Sequence, residues 1–345
     1  MRRLLNTMYV TSPDSYLRRD GTNVVVEVDG KEVGRMPIHN IEQIMMFGRP
    51  GASPGVMSLC ADNGVTLTFL KPNGRFLASV HGEVKGNVLL RRQQYRMADN
   101  EGMSLKIARN MIDGKLINCR AVLRKGLSNH SDRIDGKMMG LAIDSMTRNI
   151  AEIKEVKTVQ ELRGKEGDAA RMYFQAIDSL ILRDKQAFFM DGRTRRPPMD
   201  RFNSLLSFLY SMLLNDVRSA LEAVGLDPYV GFMHTDRPGR PSLALDLMEE
   251  LRPIADRTAL RLINLGMVNR DGFIEEEGGS FRLNEDTRAT VIAEWQRLKT
   301  VEIRHPFLEE TIQMGLVPFV QSMMLAKFVR NDLDGYPPFV MRREE

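Results

Sequence analysis

Hydrophobic residues in the first 80 positions fall in short runs of a length typical of β-strands. Pairs such as Asp20-Gly21 and Asp29-Gly30 separate the runs and supply the positive φ angles that tight hairpin turns need. Ser53 followed by Pro54 predicts a short helix over residues 53–62. The predicted strands are residues 4–10, 23–28, 31–36, 41–47, 65–70 and 75–80.

After Gly82 the apolar residues follow helical spacing instead. Residues 82–86 form the best candidate linker, and the chain past residue 260 is expected to be a helical tail without a second site. The predicted helices are residues 87–97, 104–113, 116–125, 132–155, 168–182, 200–224 and 242–251. The pattern predicts an α+β protein, with an N-terminal β-rich domain at 1–81 and a larger all-α domain at 87–345.

Composition is that of a globular protein long enough for two domains. The chain has 345 residues, of which 43% are hydrophobic and 27% charged. The net charge of +4 and the isoelectric point near 9.0 favour anionic partners only weakly. Two cysteines without a Cys-x-x-Cys pair exclude a thiolate zinc finger and a disulfide framework.

The N-terminal residues contain too short an apolar run for a signal peptide. No run approaches the ~18 apolar residues that a membrane span requires. A cytoplasmic protein without a membrane segment is therefore expected.

Candidate chemistry is concentrated in residues 225–256, where a Gly/Pro-rich loop with His234 precedes a predicted helix. Asp246 and Glu249 are three residues apart, so they lie on one face of that helix. One imidazole and two carboxylates form a candidate metal site. Alternatively, both acids are solvated, and the Glu249-Glu250 pair makes an ordinary i,i+3 ion pair with Arg252.

A further carboxylate, Glu166, lies where a predicted helix begins, in the segment ELRGKEGDAARMYF. A buried carboxylate at that position needs a cation or a metal ion as its partner. The alternative is an acid in the first turn, stabilised by the helix dipole.

Three motifs together resemble the CRISPR-associated integrase family, which inserts new spacers into CRISPR arrays. They are the pattern G-x-E-G-x-x-A-x-x-Y-F around Glu166, the run LDPYVGFMH ending at His234, and the helix SLALDLMEELRP. The resemblance continues through RRLLNTMYV, PIHNIEQIMMFG, NGVTLTFL and RPPMDRFNSLLSFLYSML, and it is closest to the subtype I-C members.

The resemblance implies that Glu166, His234 and Glu249 are metal ligands. Asp246 falls on a further acidic position of the catalytic set, either contacting the ion or supporting a ligand. Oxygen-rich ligation with one imidazole suits Mn²⁺ or Mg²⁺. Asn203 and Tyr210 also match the family, either near the active site or as structural residues.

The family's reaction is metal-dependent DNA cleavage and integration, in which the 3′ hydroxyl of a captured fragment attacks the CRISPR repeat. The expected partners are double-stranded DNA, as spacer precursor and as repeat, a second copy in a homodimer, and a small CRISPR-associated adaptation protein. The N-terminal sheet is expected to make the dimer and partner contacts. The alternatives are a non-catalytic DNA-binding scaffold and a metal-dependent hydrolase of small substrates.

Arginines near the candidate site are the expected DNA contacts. Any one of them also fits a solvated charged face, and the two nearest His234 could instead pair with Asp236 or Glu250. The candidates are Arg193, Arg195, Arg196, Arg237 and Arg240.

Overall fold

The computed structural model describes residues 7–12, 14–41, 43–48, 51–71, 76–82, 88–195 and 197–341. The chain forms two compact units. Met1–Gly86 and Gln296–Val301 make up one of them, and Asn87–Trp295 and Glu302–Glu345 the other. Of the predicted linker, only Gly82 lies within the described residues.

The N-terminal unit contains two four-stranded sheets, with strand orders β4-β3-β2-β6 and β1-β5-β7-β8. In the first sheet the β2, β3 and β4 strands are antiparallel, and in the second β1, β5 and β7 are parallel. The elements are β1 (Thr7–Val10), β2 (Ser15–Asp20), β3 (Asn23–Val28), β4 (Lys31–Pro37), β5 (Gln43–Phe47), β6 (Gly51–Ala52), α1 (Pro54–Asp62), β7 (Thr66–Leu70) and β8 (Phe76–Val80).

Local signals explain several of these elements. Asp29 and Gly30 adopt φ angles of 51° and 70° in the β3–β4 turn, and the Ser53 hydroxyl accepts a hydrogen bond from the Val56 amide at the start of α1. Strand β2 was not predicted, because its sequence SYLRRD has little apolar character. Arg18 in β2 pairs with Glu27 in the neighbouring strand at 2.5 Å.

The second unit is mainly helical. Its elements are α2 (Val88–Ala98), α3 (Glu101–His130), α4 (Gly136–Glu152), α5 (Val159–Asp178), α6 (Arg201–Val224), α7 (Ser242–Met248), the 3-10 turn Glu249–Leu251, α8 (Arg252–Asn264), β9 (Phe273–Glu275), β10 (Phe281–Leu283), α9 (Glu285–Lys299), β11 (Glu302–Arg304), β12 (Thr311–Gln313) and α10 (Val317–Val329). The last residues of α9 belong to the N-terminal unit.

The predicted fold class, a β-rich N-terminal region before a mostly helical domain, is confirmed. The expected helical tail is interrupted by two antiparallel hairpins, β9–β10 and β11–β12. Residues 104–113 and 116–125 were predicted as separate helices, but both belong to the 30-residue helix α3, which continues through Gly114. None of the described helices is both long and apolar enough to cross a membrane.

The prediction that Glu166 lies at a helix start was wrong. Helix α5 begins seven residues earlier at Val159, where the Thr158 hydroxyl accepts a hydrogen bond from the Glu161 amide. Glu166 therefore lies two turns inside the helix, beyond the reach of the helix N-terminal dipole. Its partner must come from another element.

Candidate active site

The loop before α7 is folded around the carboxylate of Asp246. Oδ2 accepts hydrogen bonds from the amides of Phe232 (2.6 Å) and Met233 (2.9 Å), and Oδ1 accepts one from the amide of His234 (2.9 Å). The loop can approach this closely because residue 231 is glycine. A Cβ on Gly231 would lie 2.7 Å from Asp246 Oδ2, inside normal contact distance.

The same carboxylate orients the imidazole of His234. Asp246 Oδ1 lies 2.5 Å from His234 Nδ1, and the Asp246 side chain is fully buried. With Nδ1 as the donor to this carboxylate, Nε2 is the nitrogen left to act as a ligand or base. Both oxygens of Asp246 are thus hydrogen-bonded to backbone amides of the loop, and Oδ1 also contacts the His234 imidazole.

Glu166 and Glu249 meet at one ammonium group. Lys115 in α3 donates a hydrogen bond to Glu166 Oε1 and a second, of 2.7 Å, to Glu249 Oε2. The Lys115 side chain is 10% exposed and that of Glu249 6%. Two helices and the 3-10 turn thus place two carboxylates around one cation, although 83 residues separate them in sequence.

Charges around Glu249 keep it ionised. Burial alone would raise the pKa of Glu249, but the charges of Arg252 and Lys115 outweigh burial and lower it to about 2. Burial likewise would lower the pKa of Lys115, yet Glu249 and Glu166 hold it above its ordinary value. Both groups are therefore charged at neutral pH. The Glu249–Arg252 ion pair expected from the i,i+3 spacing exists, with Nε 3.0 Å from Oε1, but it is buried.

Glu166 and the His234 loop are joined through α5, because Arg163 on the same helix donates to the carbonyl oxygen of Met233. Nevertheless, among the described residues no three His, Cys, Asp or Glu side chains lie together as a group that could hold a metal ion. The structure brings Glu166 and Glu249 together around Lys115, and His234 together with Asp246.

A second buried network is centred on Asp256. The hydroxyls of Tyr210 (2.6 Å) and Tyr173 (3.0 Å) both donate to its carboxylate. Burial raises the pKa of Asp256 to about 6, and the two tyrosine hydrogen bonds oppose that rise. Tyr210 faces inward, with the Arg252 guanidinium 4.7 Å from its ring centroid. This network fixes α5, α6 and α8 against one another.

The candidate DNA-binding arginines differ in accessibility. Arg193 donates to Asn203 Oδ1 at 2.7 Å and to Ser207 at 3.2 Å, and burial lowers its pKa to about 10. Its guanidinium is thus engaged by α6 and turned away from solvent. Arg195 and Arg237 are exposed, Arg240 is partly buried, and Arg196 lies outside the described residues.

Sequence reasoning missed Lys115, because a single lysine in a long helix has no signature that separates it from a solvated surface residue. It offered Glu250 only as an ion-pair partner, either of Arg252 or of Arg237 and Arg240. Glu250 is instead completely buried, and its carboxylate accepts hydrogen bonds from Tyr336 and Gln321. The residues that donate to the Glu250 carboxylate lie more than 70 positions later in the chain, so no local pattern indicates them.

Comparison with known proteins supports the resemblance seen in the motifs. The family described as CRISPR associated protein Cas1 matches residues 8–297. A protein named CRISPR-associated endonuclease Cas1 1, from Chlorobaculum tepidum, is 45% identical over 343 residues, which is 99% of this chain and 100% of the relative.

Two solved structures share the fold. A casposase bound to integration product covers 99% of this chain and 95% of its own, with a TM-score of 0.85 and 22% identity. The second structure is a Cas6-RT-Cas1–Cas2 complex. The match covers 100% of this chain and 37% of a chain of that complex, with a TM-score of 0.83 and 21% identity. With the family match over most of the chain, the protein belongs to the Cas1 family of CRISPR-associated DNA endonucleases and integrases.

Proposed function

We propose that this protein is a metal-dependent DNA integrase that inserts spacer DNA into a CRISPR array by attack of a 3′ hydroxyl on a repeat phosphodiester. The observation that carries the proposal is the convergence of Glu166 and Glu249 on one buried cation. Two hydrogen bonds to one ammonium place the two oxygens within about 6 Å of each other. An ion with metal–oxygen distances of about 2.1 Å binds oxygens no more than about 4.2 Å apart, so the two carboxylates would draw closer as the ion replaced the ammonium.

The donor chemistry fits Mn²⁺ or Mg²⁺. Glu249 is ionised, its carboxylate already binds a positive charge, and His234 supplies an imidazole whose Nδ1 is held by Asp246. For Glu166, Glu249 and His234 to hold the ion, Lys115 would have to release the two carboxylates, and the three side chains would have to move closer together. A divalent ion bound there would polarise the scissile phosphate and stabilise the departing 3′ oxygen.

Asp246 and Arg252 hold the proposed ligands His234 and Glu249 in position. Asp246 fixes the tautomer and orientation of His234, as a carboxylate partner does for ligand histidines in general. Arg252 lies against Glu249 and the Tyr210 ring, so it holds the carboxylate and adds positive charge near the phosphate. Burial of these groups limits the access of water and strengthens each electrostatic interaction.

The proposed substrates are double-stranded spacer precursor and CRISPR repeat. The casposase of the same fold is bound to an integration product, and the other structural neighbour is a complex that includes Cas2. We therefore extend the proposal to a homodimer that works in the cytoplasm with a small CRISPR-associated partner through its N-terminal sheets. The motif wording supports assignment to subtype I-C. Arg195 and Arg237 are the proposed phosphate contacts, since both are exposed.

A strand-transfer assay tests the proposal. The protein and its small partner are mixed with 3′-hydroxyl DNA and a supercoiled repeat plasmid under Mn²⁺, Mg²⁺ or chelator. We expect joined product only with an ion, and a loss of more than about 100-fold in Glu166→Gln and Glu249→Gln, since residues one contact further from a metal already cost 10–100-fold.

The matched control is Glu294→Gln, a buried glutamate paired with Arg261 at 2.8 Å away from the candidate ligands. This variant should join DNA at the wild-type rate. Joining that survives the chelator, or that persists in Glu249→Gln, would contradict the proposed function.

A further inference from the structure

One face of α3 receives the C-terminal segment, defined here as residues 334–341. Residues four apart on that face contact it in order. Lys106 donates to the carbonyl oxygen of Asp334 (3.1 Å), Asn110 to that of Tyr336 (2.9 Å) and Asn118 to that of Phe339 (2.9 Å). Asn118 also accepts from the Met341 amide at 2.7 Å. The segment therefore runs along the helix in the same direction as α3.

Gly114 occupies the remaining position of this face. A Cβ there would lie 2.8 Å from the Cβ of Pro338 and 3.2 Å from that of Glu250. Because Gly114 has no side chain, the C-terminal segment and the 3-10 turn Glu249–Leu251 can both pack closely against α3 at this position. This requirement explains why α3 contains a glycine at a position that lay between two predicted helices, 104–113 and 116–125.

Glu250 connects the C-terminal segment to that turn. Its Oε1 accepts hydrogen bonds from the Tyr336 hydroxyl (2.6 Å) and the Gln321 amide (2.9 Å), and its Oε2 accepts one from the Phe339 amide (3.2 Å). The residue has no exposed surface. A buried carboxylate with both oxygens occupied has little freedom to shift.

The Gln321 side chain is oriented in turn by His305. His305 Nε2 lies 3.1 Å from Gln321 Oε1, and Nδ1 accepts the Leu308 amide at 3.2 Å. These contacts assign Nε2 as the donor, so the Gln321 amide group points its N–H bonds toward Glu250, the Tyr336 hydroxyl and the carbonyl oxygen of Pro337.

Glu249 and Glu250 are consecutive residues that face opposite ways. Glu249 contacts Lys115 and Arg252 on the active-site side, whereas Glu250 contacts the C-terminal segment. Asn118 also donates to the backbone carbonyl of Glu250 at 2.8 Å. Movement of Glu250 would therefore move the backbone that carries Glu249.

We propose that Glu250 and the C-terminal segment position Glu249, so that hydrogen bonds from Tyr336 and Gln321 determine how well the active site binds its divalent ion. This inference rests on the proposed function in taking Glu249 as an ion ligand. Tyr336 and Gln321 are positioning residues, since neither is in contact with the Glu166–Lys115–Glu249 group.

Tyr336→Phe in the full-length protein is the test, because it removes the hydroxyl and keeps the ring. We expect the Mn²⁺ concentration for half-maximal DNA cleavage to rise about tenfold, the low end of the range for residues that support metal ligands. Maximal cleavage at saturating ion should change by less than about threefold. Hydrogen exchange of the amides over residues 246–254 should accelerate.

Trp295→Phe is the control variant. This substitution removes the hydrogen bond that Trp295 Nε1 donates to Asp216 Oδ2 at 3.0 Å. Because phenylalanine is smaller than tryptophan, the substitution also leaves a cavity. Its melting temperature should fall at least as far as that of Tyr336→Phe, with the ion dependence and the exchange over 246–254 unchanged. This separates positioning from general loss of stability.

If wild-type cleavage depends on the ion but Tyr336→Phe changes neither ion dependence nor exchange, the inference is overturned and the proposed function stands. If wild-type cleavage is independent of any divalent ion, the proposed function fails, and with it the claim about ion binding. Accelerated exchange would then still show that the C-terminal segment holds the turn.

Discussion

A single carboxylate, that of Asp246, gathers three consecutive backbone amides and the imidazole of His234. Asparagine has the same shape but replaces one acceptor oxygen with a donor. In either orientation of the asparagine amide, its NH₂ group would face N–H donors of the loop. Asp246→Asn should therefore lower the strand-transfer rate by about 10–100-fold with DNA affinity unchanged.

Asp135→Asn is the corresponding control, because Asp135 also accepts two backbone amides, those of Lys137 and Met138, at the start of α4. Asparagine is an equally good N-cap, so activity should not change. Measured strand transfer within twofold of wild type in Asp246→Asn would show that this carboxylate does not position His234.

The raised pKa of Asp256 should make the free energy of unfolding decrease as the pH rises. Its pKa is raised from 3.8 to about 6, so the folded state binds the proton more tightly than the unfolded state. The contribution of Asp256 is fully present below pH 3.8 and is lost as the pH rises through about 6. The difference between the two pKa values corresponds to about 3 kcal/mol.

The measurement is the free energy of unfolding of wild type and Asp256→Asn between pH 4 and 7. The stability of the wild type relative to the variant should fall by up to about 3 kcal/mol across that range. A difference that stays flat with pH would mean that Asp256 titrates normally in the folded protein.

The residues with the clearest local signals were the most predictable. The spacing of Asp246 and Glu249 and the loop with His234 identified three members of the candidate site, and the i,i+3 pairing of Glu249 with Arg252 was foreseen as an alternative. Lys115, Asp256 and Glu250 were not identified, since their roles depend on burial and on contacts between distant segments.

Local sequence gave the wrong position for Glu166 within helix α5. Thr158 and Glu161 mark its true start, with the Thr158 hydroxyl accepting the Glu161 amide at 3.1 Å and Glu161 accepting the Lys157 amide at 2.7 Å. The prediction instead took Glu166-Gly167 as the beginning. A glycine inside a helix is a weak stop signal, and tertiary contacts override it.

Thr158→Ala should reduce the free energy of unfolding by about 1 kcal/mol through loss of the N-cap. Glu166 lies two turns further along α5, so strand transfer should stay at the wild-type rate below the melting temperature. Chemical denaturation and the strand-transfer assay measure the two effects. A loss of activity as large as that of Glu166→Gln would mean that the helix start, too, controls the site.

Residues 104–113 and 116–125 were predicted as two helices from the spacing of apolar residues, which left Gly114 and Lys115 between them. In the structure this glycine provides close approach rather than a break, and the neighbouring Lys115 reaches the Glu166–Glu249 pair. The packing of the C-terminal segment, which decides this, is not encoded in the local pattern.

For the molecule as a whole, composition and the change from strand to helix spacing were sufficient to predict the α+β class. The two small hairpins of the second unit were missed, because strands of three residues are too short to show a period. The modest net charge of +4 makes DNA affinity depend on where the arginines are exposed.

Replacing Arg195 and Arg237 together by alanine should reduce the magnitude of the salt slope of DNA binding by about 1.8, at about 0.9 for each lost phosphate contact. Arg330→Ala, which breaks only an exposed pair with Asp332, should leave the slope unchanged. Binding measured from low to moderate salt gives both slopes. An unchanged slope in the double variant would remove these arginines from the DNA interface.

Calorimetric titration of the protein with Mn²⁺ in the absence of DNA tests the proposed ion site most directly. We predict binding that weakens more than about 100-fold in Glu249→Gln and in Glu166→Gln and is unaffected in Glu294→Gln. Equal Mn²⁺ affinity in all four proteins would contradict the claim that the carboxylates gathered around Lys115 form the ion site.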